Sequence, residues 1–154
     1  MKGLSLEWRW KKFESLTVPE LYDLIQLRER VFIVEQSCAY LDCDGLDSKA
    51  WHLSGYNGTE LVAYLRVFPE KVKYEEVSFG RVVTAPEYRK KGYGRELVLQ
   101  ALERIQETLG PLAIRISAQS YLEEFYEDFG FIREGQGYLE DGIPHIEMLR
   151  SGKL

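Results

Sequence analysis

Arg89-Lys90-Lys91-Gly92-Tyr93-Gly94-Arg95 lies between an apolar, β-branched stretch, Val77 to Thr84, and a stretch with helical spacing, Glu96 to Leu109. Four of these seven residues are basic, on a chain of formal net charge −5, so they form a local positive patch on an acidic background. A glycine-broken turn that feeds a helix start directs several backbone N–H groups into one concavity, and the helix dipole favours negative charge there. Such a loop suits a phosphate-bearing ligand. The glycine spacing narrows the choice. No G-x-x-x-x-G-K-[ST] string occurs, and Gly92-Tyr93-Gly94-Arg95-Glu96-Leu97 lacks the third glycine of a dinucleotide fingerprint and sits mid-chain. Taken alone, the loop also reads as a charged surface turn that caps a helix.

The rest of the chain sets the frame. At 154 residues it is long enough for one domain, 1–154, around a single core. A hydrophobic fraction of 45% and a charged fraction of 29% are those of a globular protein. Ten Tyr, seven Phe and three Trp point to rigid-walled clefts. No apolar run approaches the roughly 18 residues of a membrane span and no signal-peptide pattern opens the chain, so a cytoplasmic location and no membrane partner are expected. The acidic balance argues against nucleic acid. Cys38 and Cys43 match no zinc or redox spacing, and reduced structural thiols are expected.

Periodicity supplies the elements. Thr17-Val18-Pro19-Glu20 is a capping box with proline in the first turn, opening a helix whose Leu21, Leu24, Ile25, Val31 and Phe32 form a buried stripe; Arg28 shares the spacing but is expected to stand outside it. A polar loop, Ser37 to Ser48, leads to strands at Trp51 to Tyr56 and Glu60 to Phe68, joined at Asn57-Gly58. A third strand, Val77 to Thr84, carries Gly80, which hints at a bulge or a close backbone approach. The helix Glu96 to Leu109 stops at Gly110-Pro111, and a buried strand, Leu112 to Ser117, follows. Ser120-Tyr121-Leu122-Glu123 reads as a second capping box, for a helix ending at Gly130. Strands Phe131 to Glu134 and His145 to Leu149 then flank a loop, Gly135 to Pro144. The order is a mixed α/β sheet domain that begins with a helix.

Three motifs then occur in one order. Arg89 to Gly94 fits Arg-x-x-Gly-x-Gly, Ser78-Phe79-Gly80-Arg81-Val82-Val83-Thr84 precedes it, and Tyr126-Glu127-Asp128-Phe129-Gly130-Phe131 follows. Together they resemble the GNAT superfamily of N-acetyltransferases. The stretches Leu27-Arg28-x-x-Val31-Phe32-x-Val34-Glu35-Gln36 and Tyr40-x-Asp42-x-Asp44-Gly45-x-Asp47 are similar to its ElaA-like branch. So are His52, Gln119 and Glu140-Asp141-Gly142-Ile143-Pro144-His145, although Cys38-Ala39 stands where the branch tends to have Cys-Pro.

The resemblance implies the GNAT fold, a mixed, mostly antiparallel central sheet flanked by helices, with acetyl-coenzyme A as acetyl donor. It implies that Arg89, Lys90, Lys91, Gly92, Tyr93, Gly94 and Arg95 hold the pyrophosphate. Val82, Val83 and Thr84 would align the pantetheine with an N–H near Val83 as oxyanion donor, Gln119 would complete the cofactor side, and Tyr126 would protonate the departing thiolate. Read from the residues alone, Tyr126 also fits the apolar face with Leu122 and Phe129.

Acetyl transfer to an amine needs a base for the ammonium. Glu35, Asp44, His52 and His145 are the ionisable candidates; Glu35 and His52 are expected in catalysis, with Gln36, Asp44 and His145 on the acceptor side, and His52 reads equally as a hydrogen-bonded sheet residue. Glu35, Asp42 and Asp44 would suit a cationic amine. The aspartates around Gly45 also resemble a calcium loop, but the flanking helix pair and the Glu twelve residues in are missing, so no metal is expected. The acceptor expected is a small-molecule or peptide amine, and homodimerisation stays open. The rival readings are a catalytically silent coenzyme A-binding module, a nucleotide-binding protein, and transfer of a longer acyl chain.

Overall fold

The computed structural model describes residues 5–152. Strands β1 (Glu7–Lys12), β2 (Trp51–Asn57), β3 (Glu60–Phe68) and β4 (Ser78–Thr84) form one antiparallel sheet in the order β1-β2-β3-β4. Strands β5 (Ile114–Gln119), β6 (Phe131–Glu140) and β7 (Ile143–Arg150) form a second, in the order β5-β7-β6. The halves meet at one parallel bridge, Val77 to Ile114, with the Arg115 N–H donating to the Val77 carbonyl at 2.8 Å. Beyond it β4 and β5 have no ladder in common, and their free edges part.

Helix α1 (Val18–Arg28) runs into a π-helical segment, Glu29–Glu35; α2 (Tyr93–Leu109) and a short α3 (Glu123–Glu127) follow. The capping box at α1 forms as expected: the Thr17 hydroxyl accepts the Glu20 N–H at 3.2 Å, and the Glu20 carboxylate accepts the Thr17 N–H at 2.9 Å. Such a cap contributes about 1 kcal/mol. Leu24, Leu27, Val31 and Phe32 pack on Tyr64 and Val83, whereas Leu97, Val98, Ala101 and Ile105 of α2 share a cluster with Leu65, Val67 and Met148, and Val82 leans on it. Neighbouring residues of β3 and β4 thus serve different clusters, which puts α1 and α2 on opposite faces of the sheet. None of the helices in the described residues is long and apolar enough to cross a membrane.

Four features depart from the sequence reading. The described chain opens on β1 rather than on a helix. Its alternation Glu7-Trp8-Arg9-Trp10-Lys11-Lys12 sends both indoles toward α2, where Trp8 donates to Glu96 at 3.1 Å and Trp10 to Thr108 at 3.0 Å. Gly55 is required opposite, since a Cβ there would lie 2.7 Å from the Trp8 ring. Most of the expected loop Gly135 to Pro144 is strand, closed by a two-residue turn at Asp141 (φ 50°) and Gly142 (φ 77°), both left-handed as a tight hairpin of this hand requires. A register shift between Glu134 and Tyr138 broke the alternation there. The second capping box does not form: Ser120–Leu122 is a 3-10 turn, and α3 starts without a side-chain cap. Arg28, expected outside the stripe, is fully buried.

Candidate active site

A cleft of about 460 Å³ occupies the gap between the parted edges of β4 and β5. Its floor is set by a bulge. The register of β3 with β4 shifts between Tyr64 and Arg66, and Arg81, not Gly80, carries the left-handed backbone at φ 53°. That conformation costs a non-glycine residue on the order of 1 kcal/mol, and the loop before β2 offsets it. The Arg81 guanidinium meets the Asp42 carboxylate at 2.8 Å, donates to the Asp42 carbonyl at 3.0 Å and lies 5.7 Å from the Tyr40 ring centroid. Val82, Val83 and Thr84 beyond the bulge line the cleft with Ile116, Ser117, Ala118 and Gln119 of β5.

The basic loop closes one end. Lys90 (φ 63°) and Gly92 (φ 87°) turn the chain, and α2 starts at Tyr93, three residues earlier than its periodicity suggested. The Gly92 carbonyl accepts the Glu96 N–H at 3.1 Å. The N–H groups of the first turn have no intrahelical acceptor. Gly94 faces Thr84, and a Cβ there would stand 3.8 Å from the Thr84 hydroxyl. Arg89 and Gly94 line the cleft; Lys90, Lys91, Gly92 and Arg95 flank it, with Arg95 paired to Asp128 at 2.8 Å. Tyr93 is buried, edge-on to Tyr88.

Tyr126 forms part of the wall on the α3 side. It is 4% exposed, its ring set among Phe79, Phe125 and Phe131, and burial pushes its hydroxyl far above the usual tyrosine range. It is a core residue that also lines the cleft. Opposite, Glu35, Gln36 and Tyr40 line the cleft from the π-helical segment and the loop after it, and Glu140, Asp141 and His145 from the β6–β7 hairpin. The two sides touch where the Cys38 thiol donates to the Asp141 carbonyl at 3.1 Å.

A family model described as an acetyltransferase (GNAT) domain matches residues 33–151. The chain belongs to the GNAT family. It is 48% identical over 146 residues to a UPF0039 protein of Schizosaccharomyces pombe, covering 94% of this chain and 96% of that one. Protein ElaA of Escherichia coli is 40% identical over 147 residues, with 94% and 96% covered, and its crystal structure superposes with a TM-score of 0.89 at 38% identity over 95% of this chain and 99% of that one. An acyl-CoA N-acyltransferase of Pseudomonas aeruginosa superposes with a TM-score of 0.92 at 40% identity, covering 96% of this chain and 100% of the other. This is an ElaA-like GNAT protein with the acyl-CoA N-acyltransferase fold, and that fold works with an acyl-CoA donor.

Within the GNAT frame, the acceptor-side expectations need correction. His52 is 1% exposed and lies outside the cleft: its Nδ1 meets the Tyr64 hydroxyl at 2.7 Å and its Nε2 meets the Asp47 carbonyl at 2.9 Å. Burial lowers its pKa, so it is a neutral sheet residue and not a base reaching substrate. His52→Ala should accordingly lower the melting temperature while leaving the thermal shift given by acetyl-coenzyme A unchanged; loss of that shift in a folded variant would instead make His52 a support of the cofactor site. Glu35 does line the cleft, but Arg89 grips its carboxylate at 2.6 and 2.9 Å and holds it below the usual carboxylate range. A carboxylate held so is a weak proton acceptor.

Asp44 is absent from the lining; it pairs with Arg66 and accepts the Leu46 N–H at 3.0 Å. With Asp42 and Asp47 it is neutralised by Arg28, Arg66 and Arg81, so the trio forms neither an ammonium pocket nor a calcium loop. No metal-holding cluster occurs among the described residues. The sequence reading passed over Tyr40, Lys73 and Glu140 as lining residues; Glu140 carried a signal, as the first residue of the ElaA-like stretch that ends in His145.

Proposed function

We propose that this protein transfers the acetyl group of acetyl-coenzyme A to a primary amine, which attacks the thioester directly in a ternary complex. The observation that supports this most is the continuous cleft with three services along its length. At one end is the glycine-loop start of α2, whose first-turn N–H groups have no acceptor within the helix, with Arg89 beside it. In the middle is the free β4 edge at Val82 to Thr84. Tyr126 stands on the wall, with a separate polar end at the β6–β7 hairpin. When bound, acetyl-coenzyme A supplies a carbonyl activated as a thioester. Main-chain groups at Val82 to Thr84 would orient it, and Tyr126, kept protonated by burial, would give its proton to the departing sulfur. Gln119, Lys90, Lys91 and Arg95 would add to the cofactor side, and Gln36 to the acceptor side.

Thermal denaturation tests the cofactor half. A ligand at about 100 times its Kd stabilises a fold by about 2.7 kcal/mol, which is about 5–10 °C for a chain of this size. Acetyl-coenzyme A should produce such a rise, and Gly94→Glu should abolish it by filling the space before Thr84 and repelling phosphate. An undiminished rise in a folded Gly94→Glu protein would refute the loop assignment. Thiol release from acetyl-coenzyme A over a panel of amines tests turnover; binding without release from any amine would favour the silent module.

A further inference from the structure

His145 sits in the middle of the second half-sheet, with Gln119 opposite it on β5 and Tyr138 opposite it on β6. Residues opposite one another on a ladder share a face, so these three side chains point the same way. Tyr138 stacks on the imidazole at 6.1 Å with 24° between the rings, and its hydroxyl is hydrogen-bonded to that of Ser117. The ring is therefore fixed in plane and in register.

Its two nitrogens are not equivalent. Nδ1 lies 2.7 Å from the Ile143 carbonyl, an acceptor only, so Nδ1 carries the hydrogen. In the neutral ring Nε2 then offers a lone pair. It faces the Glu140 carboxylate, 3.3 Å away. Two acceptors at that distance call for a proton between them or an N–H donor beside them. Both groups line the cleft, the imidazole being 8% exposed and the carboxylate half in solvent. The other charged or titratable groups lining this end are Asp141 and Tyr40, Lys73 from the β3–β4 connection, and Arg81, which Asp42 already neutralises.

We infer that the Nε2 of His145, with Glu140 beside it, receives the proton of the acceptor amine, which arrives as an ammonium ion. This rests on the acetyltransferase reading and assigns the base which that reading lacks, in place of His52 and Glu35. The ammonium gives one N–H proton to Nε2, and the freed lone pair forms the N–C bond to the acetyl carbon as the C–S bond breaks. The sulfur takes a proton from the Tyr126 hydroxyl, and the second proton leaving nitrogen replaces the one Tyr126 gave. The proton on His145 passes by way of Glu140 to solvent, so the balance is ammonium plus thioester to amide, thiol and one proton.

Two probe nucleophiles of similar size separate this role from a packing role. Benzylamine is an ammonium ion at neutral pH and needs the base; O-benzylhydroxylamine is already uncharged. With acetyl-coenzyme A, His145→Gln should lower the ratio of kcat/KM for benzylamine to that for O-benzylhydroxylamine on the order of 10²-fold. Glu140→Gln should move the ratio in the same direction by less. By NMR, the chain holds two histidines, and the imidazole signals of His145 should shift on adding benzylamine while those of His52 stay. An unchanged ratio in His145→Gln, or an unmoved His145 signal, overturns the inference and leaves the acetyltransferase reading standing. Wild type that releases no thiol with either probe or with any amine of the panel overturns both.

Discussion

Tyr126→Phe should lower kcat on the order of 10²-fold while the rise in melting temperature with acetyl-coenzyme A survives. The substitution removes one oxygen and keeps the ring that packs 6.2 Å from Phe79 and 5.9 Å from Phe131. The hydroxyl has no hydrogen-bond partner among the described residues, so the fold should lose little. Burial raises its pKa, which keeps the proton in place at neutral pH but also makes it reluctant to leave. The same desolvation acts on the leaving thiolate, whose hunger for a proton grows as water is excluded. As the proposed acid, Tyr126 would therefore give up its proton only as negative charge develops on sulfur, which is the timing such a reaction needs. Full kcat in the variant, measured by thiol release, would make Tyr126 a core residue and nothing more; loss of the thermal shift would make it a binding residue.

The elements legible in the sequence were those whose cause is local. The Thr17 to Glu20 capping box, the strand ending at Thr84 and the glycine loop feeding a helix each depend on residues a few positions apart, and each forms. Strand β1 was also legible in principle, as an alternation of Trp and charge, yet six residues of it carry little weight without Gly55 and α2 to receive the indoles. The bulge went to Gly80 because glycine tolerates any backbone; Arg81 takes the strained conformation because Asp42, distant in sequence, holds its guanidinium. The two histidines could not be told apart for a related reason. His52 and His145 look alike in sequence, and only the partners at 64 and 47, against those at 143 and 140, separate a sealed ring from one facing the cleft.

The aspartates between Tyr40 and Ser48 show the same limit and carry the largest expected effect on stability. Arg28 is buried without exposure; its Nε donates to the Asp42 carboxylate at 2.7 Å, its Nη1 to the Asp47 carboxylate at 2.8 Å and its Nη2 to the Asp42 carbonyl at 2.9 Å. Arg66, 1% exposed, donates to Asp47 and Asp44 at 2.9 Å from a second direction. Breaking one partner of such a network strands the others, at a cost of about 3–5 kcal/mol, or roughly 6–20 °C in melting temperature. Arg28→Ala should reach that range at pH 7, and Arg28→Lys should recover little of it, because one ammonium cannot serve three acceptors in a plane.

The pH dependence has a definite sign. Burial alone would raise the Asp47 pKa, but Arg28 and then Arg66 hold it below its ordinary value; Asp44 is likewise lowered by Arg66 against burial. Glu20 adds a third such group: against desolvation, the Thr17 N–H, Lys11 and Arg9 hold it at about 2. Groups of this kind stabilise the fold fully above the ordinary carboxylate range, and the contribution drains away as pH falls through their depressed native values. Without Arg28 the burial of Asp47 is less opposed, so the acid unfolding midpoint, followed by circular dichroism, should move to higher pH. Since Asp42 also anchors Arg81 at the β4 bulge, the variant should bind acetyl-coenzyme A less well even at temperatures where it is folded. An Arg28→Ala protein with wild-type melting temperature and an unmoved acid midpoint would show that the aspartates find water in place of the arginine, and that the network does not hold the bulge.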